Sequence, residues 1–548
     1  MANETSNPEV AYFAETDFRG RRTRFGIKND DRARHFYVIG KTGMGKSTLL
    51  ENMAIQDIQN GHGLAFIDPH GSTAEKLLDY VPPARLKDVV YFAPFDLEHP
   101  ISFNVMEDVG PDQRHLVVNG LMSTFKKIWG PESWSDRMAY ILTNILLALL
   151  EYPGSTLLGV NRMISDKDFR KKVVDNVTDP SVKAYWTDEF AKYTERFAAE
   201  AVPAIQNKIG QFTSNPLIRN IIGQPVSSFD FRRVMDDRKI FIANLSKGRI
   251  GEGNANLIGA MLITKLYLTA MSRANLSGPE LRILPPFYLF VDEFQSFANE
   301  SFANILSEAR KYKLSLIIAH QYIEQMAEEV RAAVFGNVGT IVVFRVGPFD
   351  AEILEKIFFP TFTQEDLVNL GFAQVYLTLM IDGVGSPPFS ALTLPPIPLL
   401  QDSPKNQIIE HSRTTYARPR GAVETEIVEW HKNQPAAARR APLPTEPPVR
   451  PPVEPARKRE EKPAVSLNVL KNHPPFDKKI LSATEKEKTK EELRQSLKVI
   501  MEKKTEPVCS PSSPPPLTPP FPKIDSEKNE VPRAVLEKIL RPEQAPGK

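Results

Sequence analysis

The chain has one cysteine, Cys509, among 548 residues. A single thiol excludes an internal disulfide and a zinc site built from cysteines, and it suits a protein of a reducing cytoplasm. An excess of charge of one sign is lacking too, since 69 basic and 67 acidic residues leave a net charge of +2. Any contact with nucleic acid must therefore come from local basic patches rather than from the field of the whole surface.

Long hydrophobic runs are also lacking. The longest apolar run, MAYILTNILLALL at 138–150, contains Thr143 and Asn144 and is shorter than the roughly 20 residues that a membrane span needs. The N-terminal sequence MANETSNPEVAYFAE has neither the basic nor the apolar region of a signal peptide. We therefore expect a buried helix at 138–150 and a cytoplasmic protein.

Proline is concentrated in one part of the chain. Most of the 47 prolines follow residue 400, in stretches such as PAAARRAPLPTEPPVRPPVEPARKREEKP. Proline removes backbone donors and the local hydrophobicity is low, so we predict that 400–548 is a disordered Pro-rich tail. Within it, 484–504 and 531–540 carry apolar residues at helical spacing, which predicts either transient helices or short segments that dock a partner.

Before residue 400, strand-like and helix-like segments alternate. Strands are predicted at HFYVIG, GLAFID, DVVYFAP, KIFIANL, FYLFVD, LSLIIA, GTIVVFRV and AQVYLTLMI. This alternation predicts an α/β fold with a mainly parallel sheet covered by helices on both faces. The pattern of 107–235 is nearly all helical. We therefore predict a polar N-terminal segment at 1–33, an α/β domain in two parts at 34–106 and 236–399, and an all-α inserted domain at 107–235.

The sequence GKTGMGKST at 40–48 follows a predicted strand and begins a predicted helix. It matches the G-x-x-x-x-G-K-[ST] phosphate loop, in which glycines let backbone N–H groups surround phosphates at a helix N-terminus. We expect Lys46 to reach the β and γ phosphates, Ser47 to ligate Mg²⁺ and Thr48 to donate to the α phosphate. With ATP and Mg²⁺ as cofactors, the predicted binding residues are Gly40, Lys41, Thr42, Gly43, Met44, Gly45, Lys46, Ser47 and Thr48.

The stretch LFVDEF places Asp292 and Glu293 at the end of an apolar strand, where an open α/β sheet binds its ligands. We predict that Asp292 holds Mg²⁺ through water and that Glu293 acts as the general base for an attacking water. An acid pair after a strand can also be a helix cap. Together with the phosphate loop, however, the pair predicts a hydrolase.

A second strand, GLAFIDPHG, ends at Asp68 and turns at once. Two interpretations are open for this stretch. Asp68 and His70 line the nucleotide cleft, so that Asp68 is a further binding residue, or they form a purely structural turn.

The stretch EARKYKLSLIIAHQY at 308–322 carries polar residues at both ends of a strand. In phosphate-loop ATPases with a catalytic glutamate, this strand inserts between the acid-pair strand and the phosphate-loop strand. Gln321 would then lie beside the γ phosphate and sense hydrolysis, and His320 would cap the strand. Arg310, at the other end, is too far away for its own nucleotide. It is either a finger that serves a neighbouring subunit's nucleotide or a surface arginine.

These motifs resemble those of the TraG/TraD-type coupling proteins of conjugation and type IV secretion, within the HerA and FtsK superfamily of ring-forming DNA-pumping ATPases. The resemblance covers about 20–395 and depends on IGKTGMGKST, FIDPHG, LFVDEF, ARKYKLSLIIAHQ and NVGTIVVFRVGPFDAEIL. It implies a RecA-like P-loop ATPase fold and a hexameric ring with DNA in its channel. It also implies that the helical domain helps to choose the substrate, that Gln321 is the sensor, and that Arg310 is the finger acting in trans.

One departure concerns the membrane. Members of this family usually carry transmembrane helices before the phosphate loop, whereas only a short polar segment precedes it here. Either partners recruit this protein to the inner face of the plasma membrane, or it works away from the membrane.

The functional expectation is an ATP-hydrolysing DNA translocase that couples a DNA or nucleoprotein substrate to a secretion channel, with relaxase or channel proteins as partners. Two alternatives remain: a HerA-like motor for DNA repair or segregation, and a nucleotide-gated scaffold that acts through its tail. DNA would be held by its backbone phosphates, without base specificity. The predicted contacts are the loop 246–254 with Lys126, Lys127, Arg170, Lys171 and Lys172. Charge clusters of this kind are usually solvated helix faces, which is the alternative interpretation.

Overall fold

The computed structural model describes residues 9–432, except for 18–19, 108–109, 194 and 400–402. The strands in this part of the chain are β1 Val10–Thr16, β2 Arg24–Lys28, β3 Phe36–Ile39, β4 Gly63–Asp68, β5 Val89–Phe92, β6 Ile240–Asn244, β7 Phe287–Val291, β8 Leu314–His320, β9 Thr340–Val343, β10 Gln374–Thr378, β11 Met380–Ile381, β12 Val384–Gly385 and β13 Phe389–Thr393.

The α-helices of the same residues are α1 Asn29–Arg32, α2 Lys46–Gln59, α3 Ser72–Leu77, α4 Arg114–Trp129, α5 Asp136–Glu151, α6 Gly159–Ser165, α7 Lys167–Asn176, α8 Pro180–Ala184, α9 Glu195–Thr213, α10 Pro216–Ile222, α11 Phe231–Asp236, α12 Lys247–Ile250, α13 Glu252–Met271, α14 Gly278–Ile283, α15 Ser301–Glu308, α16 Glu328–Asn337, α17 Pro348–Phe358, α18 Gln364–Asn369, α19 Lys405–Tyr416 and α20 Arg420–Lys432.

One large sheet organises the fold, in the order β2-β1-β13-β10-β9-β3-β8-β7-β4-β6-β5. The strands from β9 to β5 are parallel, whereas β10, β13, β1 and β2 extend the sheet in antiparallel pairs. This arrangement confirms the predicted α/β fold with a mainly parallel sheet. It also confirms that β8 lies between β3 and β7, the position on which the interpretation of Gln321 depends.

Burial on both faces explains the continuous apolar runs of the central strands. In β3, Tyr37 and Ile39 pack into one hydrophobic cluster, and Phe36 and Val38 pack into the cluster on the opposite face. Alternate side chains of a strand point to opposite faces, so a strand buried on both sides needs apolar residues at every position.

The N-terminal strands are half-exposed. In β1 and β2 buried and less buried positions alternate, and Phe13 packs edge-to-face on Phe25 at 5.4 Å between ring centroids. β1 also pairs with β13, so the segment completes the antiparallel end of the sheet.

Between β5 and β6 the elements of the described residues are all helical. The apolar run at 138–150 lies in α5, where Leu142, Ile145 and Leu149 are buried. Ser135 caps this helix by accepting a hydrogen bond from the Met138 N–H at 3.2 Å. The buried residues of these helices belong to the same hydrophobic cluster as one face of the sheet.

Within the described residues, a different stretch is long and apolar enough to span a membrane by length and composition. It is Glu252–Asn275, with a mean hydropathy of 1.2 over its most apolar window, and 72% of that window is buried inside the protein. The helix α13 in this stretch packs against α4, where a Cβ added to Gly120 would meet Thr264 at 2.4 Å. Burial within the fold thus accounts for its apolar composition.

The prediction that disorder begins at residue 400 is wrong for 405–432, which forms α19 and α20. Ser412 of α19 accepts a hydrogen bond from the Tyr91 N–H of β5 at 3.1 Å, and Val423 and Ile427 of α20 pack on Leu158. These helices lie between proline-rich stretches and carry few apolar residues, so their packing faces were missed. The rest of the predicted tail, 433–548 with its two helical stretches, lies outside the described residues.

Candidate functional site

The phosphate loop (40–48) joins β3 to α2 at the carboxyl edge of the sheet. Gly43 and Gly45 have φ values of +79° and +115°, which L-residues rarely adopt, so glycine is required at both positions. The Lys46 ammonium donates to the carbonyls of Gly40 at 2.6 Å and Lys41 at 3.2 Å. Burial lowers the pKa of Lys46, and the carboxylates of Glu293 and Asp292 act in the opposite direction.

Backbone hydrogen bonds fix this loop between its two neighbouring strands. The Gly40 N–H donates to the carbonyl of His320 in β8 at 3.3 Å, and the Lys41 N–H donates to the carbonyl of Arg345, just after β9, at 2.8 Å. The loop is therefore held at the edge where β7 and β8 deliver their polar side chains.

Ser47 and Asp292 meet across this edge. The Ser47 hydroxyl donates to Asp292 Oδ2 at 2.9 Å, and Asp292 is only 4% exposed. Burial raises the pKa of Asp292, and the nearby acids Glu293 and Asp68 raise it further. A hydroxyl and a carboxylate are hard oxygen ligands of the kind that Mg²⁺ takes.

No cluster of three or more histidine, cysteine or acidic residues that could hold a metal occurs in the described part of the chain. A cation beside Ser47 and Asp292 would therefore draw its remaining ligands from phosphate oxygens and water. Mg²⁺ is usually bound in this way, through one or two protein oxygens and the phosphates of its substrate.

Glu293 is held by two side-chain amides. Its Oε1 accepts a hydrogen bond from Gln321 Nε2, and its Oε2 accepts one from Gln295 Nε2. Its backbone is left-handed, with a φ of +48°, a conformation that costs free energy in a residue other than glycine. The carboxylate is thus oriented by neutral donors at a strained position directly after β7.

Gln321 links this carboxylate to the phosphate loop. Its Oε1 accepts a hydrogen bond from the Thr42 hydroxyl at 3.0 Å, while its Nε2 donates to Glu293. The structure therefore brings Gln321, Glu293, Asp292 and Ser47 together, as the motifs predicted.

His320 is a core residue rather than an exposed cap. It is fully buried, and its Nδ1 lies 3.1 Å from the Tyr37 hydroxyl. Burial, with smaller contributions from Lys46 and Lys127, lowers the pKa of His320 to about 3. The imidazole is therefore neutral at physiological pH.

Two interpretations were open for Asp68, a nucleotide-binding residue or part of a purely structural turn. Its contacts are those of the structural turn. Its Oδ1 accepts from the His70 N–H at 2.8 Å and its Oδ2 accepts from the Ala74 N–H at 2.9 Å. The His70 side chain instead reaches the site, with its Nε2 3.9 Å from Glu293 Oε1.

Arg310 lies at the opposite edge of the sheet. The seven residues of β8 separate it from Gln321, a span of about 23 Å at the usual rise per residue. Its side chain is exposed, and in the described residues no hydrogen bond or ion pair holds it. The turn that carries it is fixed by the buried Arg273, which donates to the Tyr312 carbonyl at 2.8 Å.

Several of the predicted DNA contacts have partners within the chain. Lys126 pairs with Glu300 at 2.8 Å, and the Arg170 guanidinium donates to the carbonyls of Met163 and Ile164. In the loop 246–254, the Arg249 guanidinium stacks 3.5 Å above the Phe95 ring. The exposed lysines of the predicted set are Lys127, Lys171 and Lys172.

Sequence reasoning missed two groups of the site. Gln295 follows the acid pair by two residues, and the Thr42 hydroxyl was assigned only to nucleotide binding. Both roles depend on contacts between side chains that the motif patterns do not encode. An amide two residues after the acid pair was the available signal for Gln295.

Comparison with known proteins found similarities in sequence and in fold. The family model described as the TraM recognition site of TraD and TraG matches residues 286–357, which include β7, β8 and β9. The type 4 coupling protein DotL of Legionella pneumophila is 22% identical over 373 residues, covering 56% of this chain. The match spans 46% of the length of that relative.

Solved structures of the plasmid coupling protein TrwB share the fold. Its complex with the GTP analogue GDPNP matches with a TM-score of 0.53 at 14% identity, covering 69% of this chain and 90% of TrwB. Its complex with ADP and Mg²⁺ matches with a TM-score of 0.52 at 14% identity, covering 72% and 97%. The resemblance found in the motifs is thus confirmed: this chain is similar in sequence to the coupling protein DotL and, over residues 286–357, to TraD and TraG, and it has the fold of TrwB.

Proposed function

We propose that this protein is a magnesium-dependent ATPase that works as a ring and moves a DNA or nucleoprotein substrate into a conjugative or type IV secretion channel. The proposal depends on two sets of side-chain contacts at the phosphate loop. Ser47 meets Asp292, and Gln321 joins Thr42 to Glu293. A loop that only sensed nucleotide would not need an oriented carboxylate beside it.

The residues present fit ATP and Mg²⁺. The phosphate loop would hold the phosphates through its backbone N–H groups, and Lys46 would exchange its loop carbonyls for phosphate oxygens. Ser47 and Asp292 would hold Mg²⁺, which neutralises charge on the phosphate oxygens when bound. The TrwB complexes with ADP and Mg²⁺ and with an ATP analogue support this assignment by analogy of fold.

Glu293 performs the proton transfer. Its carboxylate takes a proton from the attacking water, and its two amide partners fix the direction in which its free lone pairs point. Gln321 responds to the reaction because its hydroxyl partner, Thr42, belongs to the loop that holds the phosphates. Arg310 completes a neighbouring subunit's site, since it is exposed at the far edge of its own sheet.

Translocation and partners rest on the relatives. DotL and TrwB are coupling proteins, and the family model that matches residues 286–357 is described as the TraM recognition site of TraD and TraG. We propose that a relaxosome or channel component binds this protein at the inner face of the plasma membrane. DNA would contact exposed lysines through its phosphates, and such binding weakens steeply with added salt.

Steady-state ATP hydrolysis, measured with and without single- and double-stranded DNA, tests this function. Glu293→Gln keeps the size of the side chain and removes its basicity, so turnover should fall by about 10²- to 10⁴-fold, the usual contribution of a general base. Nucleotide affinity should stay within a few-fold, because Glu293 does not belong to the phosphate loop.

Glu300→Gln is the matched control. Glu300 is an exposed acid of the same segment that pairs only with Lys126 among the described residues, so its loss should leave turnover unchanged. Unchanged turnover in Glu293→Gln would refute hydrolysis by this mechanism. Turnover without any response to DNA would refute translocation while leaving the ATPase intact.

A further inference from the structure

Three tyrosines surround an open pocket of about 570 Å³ in the helical region between β5 and β6. The pocket is remote in sequence from the phosphate loop, and none of the motifs described above includes it. The seven polar or aromatic residues of its lining are Tyr140, Ser181, Tyr185, Asp188, Glu189, Lys192 and Tyr193.

Glu189 stands at the centre of the polar contacts. The Tyr140 hydroxyl donates to its Oε2 at 2.9 Å, and the Tyr193 hydroxyl donates to its Oε1 at 2.6 Å. The hydrogen bond to Glu189 raises the pKa of Tyr140, and burial together with Glu189 raises the pKa of Tyr193 to about 12. Both phenols therefore stay protonated and donate to the Glu189 carboxylate.

The rings form the walls of the pocket. Tyr185 is 4% exposed, and the Tyr140 ring stands edge-to-face to it at 5.2 Å and 86°. Tyr193 stands nearly perpendicular to Tyr185 on another side, at 6.5 Å and 81°. Tyr140 is 48% exposed, so the space between the rings opens to the surface.

A π-helical turn, Tyr185–Glu189, builds this arrangement. It carries the buried ring and both exposed acids, Asp188 and Glu189, within five residues. Such turns are uncommon and frequently occur at functional sites, because the extra residue in the turn redirects side chains.

We propose that this tyrosine cage, formed by Tyr140, Tyr185 and Tyr193 around Glu189, binds the cationic side chain of a lysine or arginine from a protein partner. Aromatic faces attract cations, and the attraction grows when a carboxylate shares the site. Asp188 adds a second negative charge at the rim. Tyr140 and Tyr193 could not donate to a bound anion, because both phenol protons are already donated to Glu189.

The binding is testable on the full chain labelled with 3-fluorotyrosine and followed by ¹⁹F NMR. N-acetyl-arginine amide and N-acetyl-lysine amide are the probes, and Tyr→Phe variants assign the resonances. We expect saturable shifts at Tyr140 and Tyr193. The resonance of Tyr322, a 39% exposed tyrosine at the nucleotide edge, should stay in place.

Glu189→Gln and Tyr140→Leu should each weaken the response to both probes at least threefold and leave ATP turnover unchanged. Neither residue contacts the phosphate loop, so the cage and the ATPase can fail independently. The proposal is overturned if N-acetyl-glutamate amide shifts the cage resonances equally, or if neither cationic probe shifts them.

Cations from two places in the chain itself are the competing occupants. Lys192 lies at the rim of the pocket, and Arg457, Lys458 and Arg459 form a basic run outside the described residues. Lys192→Ala and a variant with serine at 457–459 should leave the resonances of the protein without probe unchanged. If either variant shifts them, the chain fills its own cage and the partner is excluded.

Discussion

The two edges of the large sheet use polar side chains in opposite ways. At the carboxyl edge, buried or half-buried carboxylates are held by neutral donors, whereas at the amino edge carboxylates form ion pairs with fully buried arginines. The carboxyl-edge group is Ser47, Asp292, Glu293, Gln295 and Gln321, and the amino-edge group is Arg32, Asp57, Asp236 and Arg273.

The difference lies in whether charge is compensated within the chain. Arg32 is fully buried, donates to both oxygens of Asp57 at 2.7 Å, and stacks 3.6 Å above the Tyr288 ring. The carboxylates of Asp292 and Glu293, by contrast, accept hydrogen bonds from the Ser47 hydroxyl and from the amides of Gln295 and Gln321 rather than from a buried arginine. One edge therefore stabilises the fold through buried ion pairs, and the other presents carboxylate oxygens that could ligate a metal ion.

The largest expected effect on stability is at the amino edge. Asp57→Ala leaves the Arg32 guanidinium buried without its counter-ion, which should lower the free energy of unfolding by about 3–5 kcal/mol. Thermal or urea unfolding of the variant measures this, and its nucleotide affinity after refolding should match that of the unaltered protein.

The pH dependence of the same pair has a definite sign. Burial alone would raise the pKa of Asp57, but Arg32 and His62 outweigh it and the pKa is lowered from its ordinary value of 3.8. A lowered carboxyl pKa contributes stability that is present above pH 3.8 and is lost as the pH falls below that value.

The double variant Arg32→Met, Asp57→Leu replaces both charges of this pair with apolar side chains. It should recover most of the unfolding free energy that Asp57→Ala loses, and failure to do so would contradict the account of this edge.

A smaller effect, on ATP turnover, is expected when the hydrogen bonds that connect the phosphate loop to Glu293 through Gln321 are removed. Gln321→Leu removes the amide that joins Thr42 to Glu293, so turnover should fall by about 10- to 100-fold through misplacement of the carboxylate. ATP affinity should change little. Gln295→Leu is the comparison, because it removes the other amide on Glu293 without touching the loop.

The two variants separate orientation of the base from communication with the loop. If Gln295→Leu lowers turnover as much as Gln321→Leu, the link to Thr42 has no special role. If neither variant lowers turnover, the amides do not orient the base.

The smallest effect concerns the contact between the helical region and the segment after the acid pair. Asn299 Nδ2 donates to the Thr124 hydroxyl of α4 at 3.2 Å, and both residues are buried. Thr124→Val leaves this donor unpaired, which should cost about 1–2 kcal/mol of unfolding free energy and lower turnover by a few-fold. Thr124→Ser keeps the hydroxyl and should retain the turnover of the unaltered protein.

Much of the carboxyl edge was predictable because its residues are contiguous in motifs. The glycines and Lys46 follow from the spacing of the loop, and Gln321 follows from the order of strands that the motifs imply. The contact of Gln295 with Glu293 and the bridge from Thr42 to Gln321 were not predictable, since they depend on rotamers of side chains from separate segments.

Other features of the structure could not be predicted from the sequence, each for a different reason. Asp68 matched the end-of-strand pattern of a ligand, but its two oxygens satisfy the N–H groups of its own turn. The helices α19 and α20 pack through a few residues each, too few to stand out between proline-rich stretches. The left-handed backbone of Glu293 has no sequence signal at all.

Arg310 differs from the paired charges of the amino edge, because its side chain is exposed. Our central claim is that Arg310 completes the nucleotide site of a neighbouring subunit. Mixing Arg310→Ala subunits with Lys46→Ala subunits tests this directly. An Arg310→Ala subunit keeps an intact phosphate loop, which the Arg310 of an adjacent Lys46→Ala subunit can complete. The account predicts ATP turnover by the mixture above the sum of the separate variants. The absence of rescue at every ratio, in variants shown to assemble together, would contradict it.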